Sequence, residues 1–459
     1  MTAITACYEA SHGEIARKPE PSTELSSPAT SASDCSENFC VLPPPTPRPP
    51  AKLFCAQSRP RPETIHCFVG QYFVSRNRRV ELKAIVARFL IGVWATGFVT
   101  AIQAEGYKPV KCSEHAPYAG KPLHGAIDVS KLANALDTQP LGEAAAGRLD
   151  EAFDATFKAS KSVAMTTAVA IDGKGIWQRG SAADSPVFFW ASVGKTFTAV
   201  VLLQLADEGK LSLDDAVSRW LEDVPNGDVV TVRDLLAHTS GLFSANEDLR
   251  ARAKPRFRSA SENLEISRKH GAMFCAGANW RYTNTGYDLL GEIAAKVDGR
   301  PIEQAIAARI IQPLELRSTR ALSPGSESTG IAPLVSTIER PMEPSWAGAA
   351  GPIVSNAADM IRFWSALLDG RLVKPATLEA MFATLYPMFD PGTYYGLGVM
   401  VFDVPDQDGQ LLWLGHAGGT PGASAVVAYS PKDRAFVAVA LTGDGPAVAV
   451  ANQLLKAAR

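Results

Sequence analysis

The β-rich runs of this chain are confined to two stretches far apart in the sequence, with helical spacing between them. Near the first end, residues 162–171 and 176–179 flank Asp172-Gly173-Lys174-Gly175, two strand-like runs around a turn. Far downstream, 395–402, 411–414, 424–429 and 435–441 are short β-branched or alternating runs separated by Asp, Gly and Pro turns. Apolar residues recur at helical spacing over 143–159 (Leu149, Phe153, Phe157), 192–208, 232–236, 287–297, 302–311, 357–368 and 447–458. Neither group of strands can bury its apolar side alone. The pattern therefore predicts an α+β fold in which one antiparallel sheet is assembled from both chain ends and flanked by helices, with a mostly helical subdomain between.

The region ahead of this pattern has a different character. Residues 1–73 contain the run Pro43-Pro44-Pro45-Thr46-Pro47-Arg48-Pro49-Pro50 and almost no apolar periodicity, a composition expected to stay disordered. Residues 74–104 have the layout of a secretory signal. Arg76, Arg78, Arg79, Lys83 and Arg88 precede the uncharged stretch 89–102, and Ala104 is a small residue at a cleavage position. That stretch is about fourteen residues, short of the roughly twenty that span a membrane. A signal belongs at the start of a protein, so a biological start near Val74 or Val80 is expected, with the upstream segment a start-site artefact. The alternative is a genuine extension followed by a membrane anchor or a buried helix. Residues 105–141 read as a variable linker and 142–459 as one folded domain. The expected location is periplasmic or secreted, with membrane association left open.

Composition excludes some functions. With 46% hydrophobic and 20% charged residues and a net charge of -2, the chain forms a core readily but offers no basic stripe for a phosphate backbone, so nucleic acid is not an expected partner. Five of the seven cysteines precede residue 70, leaving Cys112 and Cys275. There is no Cys-x-x-Cys and no paired His, so neither a metal nor a cofactor is expected. A Cys112–Cys275 disulfide and two separate thiols both remain open.

Three short motifs carry chemistry. In Ser192-Val193-Gly194-Lys195 a hydroxyl and an amine lie three residues apart where an apolar approach, Phe188-Phe189-Trp190, gives way to a helical run. One helical turn brings them onto the same face, within reach for the amine to take the hydroxyl proton. A nucleophile elbow, Gly-x-Ser-x-Gly, is disfavoured because Trp190 fills its first glycine position. Tyr282-Thr283-Asn284 offers a phenol and an amide just before a helix; Asn284 or Thr285 could equally be caps. His416-Ala417-Gly418-Gly419 ends an apolar run and opens a Gly-rich stretch, which reads either as a hairpin turn or as backbone that admits a substrate and binds an oxyanion.

S-x-x-K, Y-x-N and H-x-G in this order resemble the penicillin-recognising serine hydrolases: class C β-lactamases, D-alanyl-D-alanine carboxypeptidases and related esterases. The flanks are similar too: Gly209-Lys210-Leu211-Ser212-Leu213-Asp214-Asp215, Leu235-Leu236-Ala237-His238-Thr239-Ser240-Gly241-Leu242, Pro313-Leu314 and Gly415 to Gly422. The resemblance covers roughly residues 145 to 458. It implies that Ser192 is acylated, that Lys195 and Tyr282 share proton transfer, and that the N–H groups of Ser192 and Gly419 hold the oxyanion. It further implies that Asn284, His416 and Gly418 contact the substrate, with His416 where many relatives carry Lys; His238 and Ser240 read as structural.

Two departures bear on specificity. Ala417 lacks the hydroxyl that helps relatives grip a substrate carboxylate, and His416 is a weaker cation than Lys. Arg281, Arg340 and Arg362 are unranked candidates to replace that contact. The expected function is hydrolysis, without cofactor, of D-amino-acid peptides such as a peptidoglycan stem peptide, or of small esters or amides. A modest class C-like β-lactamase or esterase is the nearer alternative, and a penicillin-binding sensor with little turnover the more distant one. Oligomeric state has no signature in the sequence.

Overall fold

The computed structural model describes residues 107–132, 136–181, 187–406 and 409–459. The segment expected to be disordered, 1–73, and the signal-like segment, 74–104, lie outside the described residues. Helix α1 (Glu143–Ser160) ends where Lys161 turns left-handed at φ 55°. Strands β1 (Ala164–Ile171) and β2 (Gly175–Gly180) form the expected hairpin, closed at Ile171↔Gly175. There follow β3 (Phe188–Phe189), α2 (Gly194–Asp207), α3 (Val232–Ala237), α4 (Leu249–Ala253), α5 (Ala260–His270), α6 (Asn284–Asp298) and α7 (Ile302–Ile306). After β4 (Arg320–Ala321), β5 (Ile353–Ser355), α8 (Ala357–Leu368) and α9 (Pro375–Met381), the chain returns to strands. These are β6 (Tyr386–Pro387), β7 (Thr393–Tyr395), β8 (Met400–Asp406), β9 (Gly409–Thr420), β10 (Ala423–Ser430) and β11 (Ala435–Thr442), before helix α10 (Ala447–Ala458).

The main sheet runs β2-β1-β11-β10-β9-β8-β7-β6 and is antiparallel throughout. Its two halves meet where β1 pairs with β11 from Ala164↔Thr442 to Ile171↔Ala435, so the sheet is built from both chain ends. Strands β1, β10 and β11 are buried at every position. Alternation persists beneath that uniform burial, because successive residues enter different cores. Met165, Val169 and Ile171 join Val437, Val439 and Leu441 against Leu149 and Phe153 of α1 and Leu454 of α10. Ala168, Ala170, Ala438 and Ala440 share the other core with Phe197 of α2 and Phe363 of α8. Small residues on that side let helices approach the sheet closely.

Three elements differ from the sequence expectation. The run 395–402 is two strands, because the chain reverses between Tyr395 and Met400, where Gly396 N donates to Val399 O at 2.9 Å and Gly398 takes φ 75°. The run 411–414 extends through the Gly-rich stretch, because pairing with β10 up to Ala423↔Thr420 holds it extended. The run 302–311 keeps α geometry only to Ile306 and continues as a π turn over Ala307–Ile311. Cys112 and Cys275 form a disulfide. Among the described residues no helix is long and apolar enough to cross a membrane.

Candidate active site

Four pieces of backbone converge on Ser192. The first is its own turn, a 3-10 segment Ala191–Val193 leading into α2. Trp190 anchors this turn, being fully buried with its N–H donating to Ile353 O at 3.1 Å and its indole Nε1 to Ser355 O at 3.0 Å. Ala191 sits at φ 45°, a strained conformation for a residue with a Cβ, directly before the nucleophile candidate. Helix α2 is fixed on both flanks by buried hydroxyls: Thr196 Oγ1 donates to Gly398 O and Thr198 Oγ1 to Ala349 O, each at 2.8 Å.

On this helix Lys195 is completely buried. Its Nζ donates to Ser192 Oγ at 3.2 Å, to Asn284 Oδ1 at 2.7 Å and to the Ala350 carbonyl at 2.7 Å. It also lies 4.8 Å from the ring centre of Tyr282 and 5.3 Å from that of Tyr287. Burial pulls the amine down to about 7, while the Asp288 carboxylate on α6 acts the other way. The amine therefore exists substantially neutral near pH 7. When it does, its two N–H groups keep the two short contacts and its lone pair is left toward the Ser192 hydroxyl.

Tyr282 and Asn284 arrive at the N-terminus of α6. The cap is Thr283, whose Oγ1 accepts from Gly286 N, rather than Asn284 or Thr285. Asn284 Nδ2 donates to Asn246 Oδ1 at 3.1 Å, and its backbone N–H donates to Ser244 Oγ at 2.9 Å. One Nδ2 proton remains. The Tyr282 phenol couples to Ser192, but burial outweighs that and pushes its titration well up, so it stays protonated.

The fourth piece is the end of β9. Pairing with β8 stops at Met400↔Gly415, so β9 has an open edge beyond it. Ala417 N donates across that edge to Met400 Sδ at 3.3 Å. Strand N–H groups two residues apart point the same way, so Gly419 N–H faces the open edge past the end of β8. Gly418 lies against the Ser192 turn so tightly that a Cβ would be 2.5 Å from Trp190 O and 2.8 Å from Ser192 N. Only glycine permits that approach. The N–H groups of Ser192 and Gly419 thus come from adjoining backbone.

His416 is in mid-strand rather than at a turn, and is fully buried. Its Nδ1 donates to Ala417 O at 2.7 Å and its Nε2 accepts from Tyr395 OH, 3.1 Å away. Burial and nearby Lys195 bring it down to about 3, so it is neutral and both nitrogens are engaged within the protein. Of the three arginines, Arg281 is paired with Glu247, both largely buried, and Arg362 with Asp359. Arg340 is exposed. His238 is also buried and held neutral; its Nδ1 accepts from Thr283 N–H at 3.2 Å, and its ring packs 4.2 Å from Tyr282 and 4.5 Å from Tyr395 between ring centres.

Sequence reasoning missed Tyr395, Asp288 and the Ala350 carbonyl. Tyr395 links His416 to Tyr287, whose hydroxyl is 3.3 Å away, beneath the site. Its sequence signal was the tight Tyr395-Gly396-Leu397-Gly398 turn inside an apolar run. Asp288 is held by Asn263 Nδ2 at 2.8 Å, and burial raises it to about 7. Among the described residues no cluster of His, Cys, Asp or Glu could hold a metal ion. The arrangement as a whole can deprotonate a serine hydroxyl and receive an oxyanion.

The family model described as Beta-lactamase matches residues 149–459, more than half of the chain. Among solved structures, a D-stereospecific amidohydrolase from Streptomyces sp. is 31% identical, with a TM-score of 0.59 over 68% of this chain and 97% of that one. Penicillin-binding protein 4* of Bacillus subtilis is 28% identical over 265 residues, 52% of this chain and 57% of that protein. Esterase EstB of Burkholderia gladioli is 29% identical over 204 residues, 38% of this chain and 50% of that protein. The chain spans about half the length of these curated relatives.

Proposed function

The chain belongs to the beta-lactamase family of hydrolases, and from that premise we propose that it hydrolyses D-amino-acid amides and peptides, or small esters, through an acyl-enzyme on Ser192. The observation that carries this is the pairing of half-buried Ser192 with fully buried Lys195, 3.2 Å apart, with the amine brought to about 7. Neutral Lys195 takes the Ser192 proton as Oγ attacks the carbonyl carbon. The resulting oxyanion is received by the N–H groups of Ser192 and Gly419. Tyr282, kept protonated by burial, passes a proton to the leaving nitrogen or oxygen and recovers one from Lys195. Water then attacks the ester with the same groups acting in reverse. Asn284 holds Lys195 through Oδ1 and offers its remaining Nδ2 proton to the substrate carbonyl.

The pocket's charges favour an acyl donor without a carboxylate. Ala417 has no hydroxyl, His416 is neutral, and Arg281 is neutralised by Glu247. On the other lip Phe389 is 39% exposed and lies 5.4 Å from Trp280 and 6.3 Å from Tyr282 between ring centres, which suits an apolar side chain. The Streptomyces amidohydrolase and the Burkholderia esterase support amides and esters ahead of β-lactams. A peptidoglycan stem peptide fits this preference only at a bond whose flanking groups carry no free carboxylate, and the Cys112–Cys275 disulfide suits the oxidising, extracytoplasmic setting where such peptides occur.

The test is a fluorophosphonate followed by peptide mass spectrometry, with D-phenylalanine amide, a p-nitrophenyl ester, a D-Ala-D-Ala peptide and nitrocefin compared as substrates. The expected result is an adduct on Ser192 and faster turnover of amide and ester than of nitrocefin. A fully active, unlabelled Ser192 would refute the mechanism, and a clear preference for nitrocefin would refute the substrate class.

A further inference from the structure

We infer that residues 107–127, which precede the stretch matched by the family model, are a strap that positions Tyr282 and Asn284, locked by the Cys112–Cys275 disulfide. The inference rests on the reading of Ser192 as the nucleophile. Residues 272–281 run from the end of α5 to the start of α6 with no helix or ladder of their own, so their backbone groups need partners from elsewhere.

One side of the segment is satisfied by the turn after α3. Met273 N donates to Gly241 O at 2.8 Å, Gly277 N to Thr239 O at 3.0 Å and Arg281 N to His238 O at 2.9 Å. The other side is satisfied by the strap. Val110 N donates to Ala272 O at 2.9 Å, Ala116 N to Ala276 O at 2.9 Å and Ala119 N to Ala278 O at 2.8 Å. The disulfide falls between the first two of these contacts, and the last is four residues from Tyr282. His115 crosses Gly277, where a Cβ would be 2.1 Å from the imidazole Cε1, and reaches Asp234 of α3 at 3.1 Å. Asn226 grips the strap from behind, accepting from Cys112 N at 3.1 Å and donating to Val110 O at 3.2 Å.

The strap then crosses to the sheet. Tyr118 packs edge-on against Tyr386 at 5.1 Å between ring centres, and His124 N donates to Leu385 O at 3.0 Å. His124 Nε2 lies 3.0 Å from Asp403 Oδ2, and Ile127 N donates to Phe382 O at 3.2 Å. The same ribbon therefore braces the segment carrying Tyr282 and Asn284 and the strands β6 and β8 that flank the strand carrying Tyr395. Displacing a proton carrier by about 1 Å costs on the order of a hundredfold in rate. A disulfide that served stability alone would leave the rate of the folded enzyme unchanged.

The experiment compares Ser192 labelling by a fluorophosphonate, and kcat and KM for an ester, in three forms of the full chain at a temperature where circular dichroism shows all folded. These are the oxidised protein, the same protein treated with dithiothreitol, and the double variant Cys112→Ser, Cys275→Ser. Dithiothreitol supplies two electrons and two protons, the S–S bond becomes two thiols, and the reagent closes to its cyclic disulfide. The expected result is a fall of about 10–100-fold in labelling rate and kcat with KM changed less, restored on reoxidation of the treated protein. If the double variant does not fold, His115→Ala with the disulfide intact reports instead, and a fall in labelling rate is expected there as well. Labelling rates within twofold of the oxidised protein, with only Tm lowered, overturn the inference. Failure of the oxidised protein itself to label Ser192 would instead overturn the acyl-enzyme reading beneath it.

Discussion

Gly418→Ala probes the join between β9 and the Ser192 turn. The added Cβ would stand 2.5 Å from Trp190 O and 2.8 Å from Ser192 N, whereas ordinary contact begins at 3.4 Å, so about 0.9 Å of separation must be found. Both obstructing atoms belong to backbone, so no side chain can swing aside. The turn cannot yield easily, because Trp190 is tied to β5 through its N–H and its indole. The strand has only one paired neighbour along this stretch, β10, so β9 is the part that moves. Its movement carries Gly419 N–H away from Ser192 N–H by most of that distance. A misplacement near 1 Å of an oxyanion donor costs about a hundredfold in kcat/KM, or about 2.7 kcal/mol. The overpacking itself costs about 1–3 kcal/mol of stability. The assay is steady-state turnover of an ester together with the fluorophosphonate labelling rate, and a calorimetric Tm. Activity within threefold of the parent protein would refute the geometry argued for the oxyanion site.

Three further outcomes follow from the same geometry. Activity should rise with pH through about 7 as Lys195 loses its proton, and Asp288→Asn should move that acid limb to lower pH, because it removes the negative charge that Asp288 gains as it ionises near 7 and that favours the ammonium form; an unmoved limb counts against Lys195 as the base. Tyr282→Phe should lower kcat by about 10²–10⁴-fold with little change in KM, read by single-turnover kinetics; a KM effect alone would make Tyr282 a binding residue. Ala417→Thr should raise kcat/KM for a carboxylate-bearing β-lactam by about 10–100-fold relative to D-phenylalanine amide, the worth of one hydrogen bond to a charged group; an unchanged ratio would mean that the missing hydroxyl does not set the preference.

What was legible in the sequence is what depends on local spacing. Ser192 and Lys195 meet because a single turn separates them, and the hairpin around Gly173 follows from turn chemistry. Pairing of β1 with β11 was legible in outline, since neither end could bury its strands alone. The misses were non-local or invisible in side-chain identity. Ala350 contributes through its carbonyl, which any residue would have supplied. Asp288 carries no local signal of burial; it is covered by elements distant in sequence, Asn263 of α5 and the turn carrying Gly348, whose Cβ would lie 3.0 Å from Asp288 Oδ1. The stretch opened by His416 reads either as a turn or as open backbone because of its two glycines, and the β10 ladder is what keeps it extended.

These placements bear on how a lysine becomes a base in this pocket. A neutral amine can be obtained either by crowding it with positive charge or by removing water. The second operates here, since both neighbouring imidazoles, His238 and His416, are neutral and the carboxylate acting on the amine, Asp288, favours the ammonium form. Desolvation by Tyr282 and Tyr287 must therefore outweigh Asp288, and the balance falls near 7. The same dryness has a second effect. With Arg281 paired to Glu247 and Arg362 to Asp359, the cation buried at Ser192 is the one amine that must lose its charge to act. A carboxylate bound beside Lys195 would raise its titration and leave less of the amine neutral near pH 7, so an acyl donor whose neighbouring groups are uncharged preserves the chemistry that the burial of Lys195 creates.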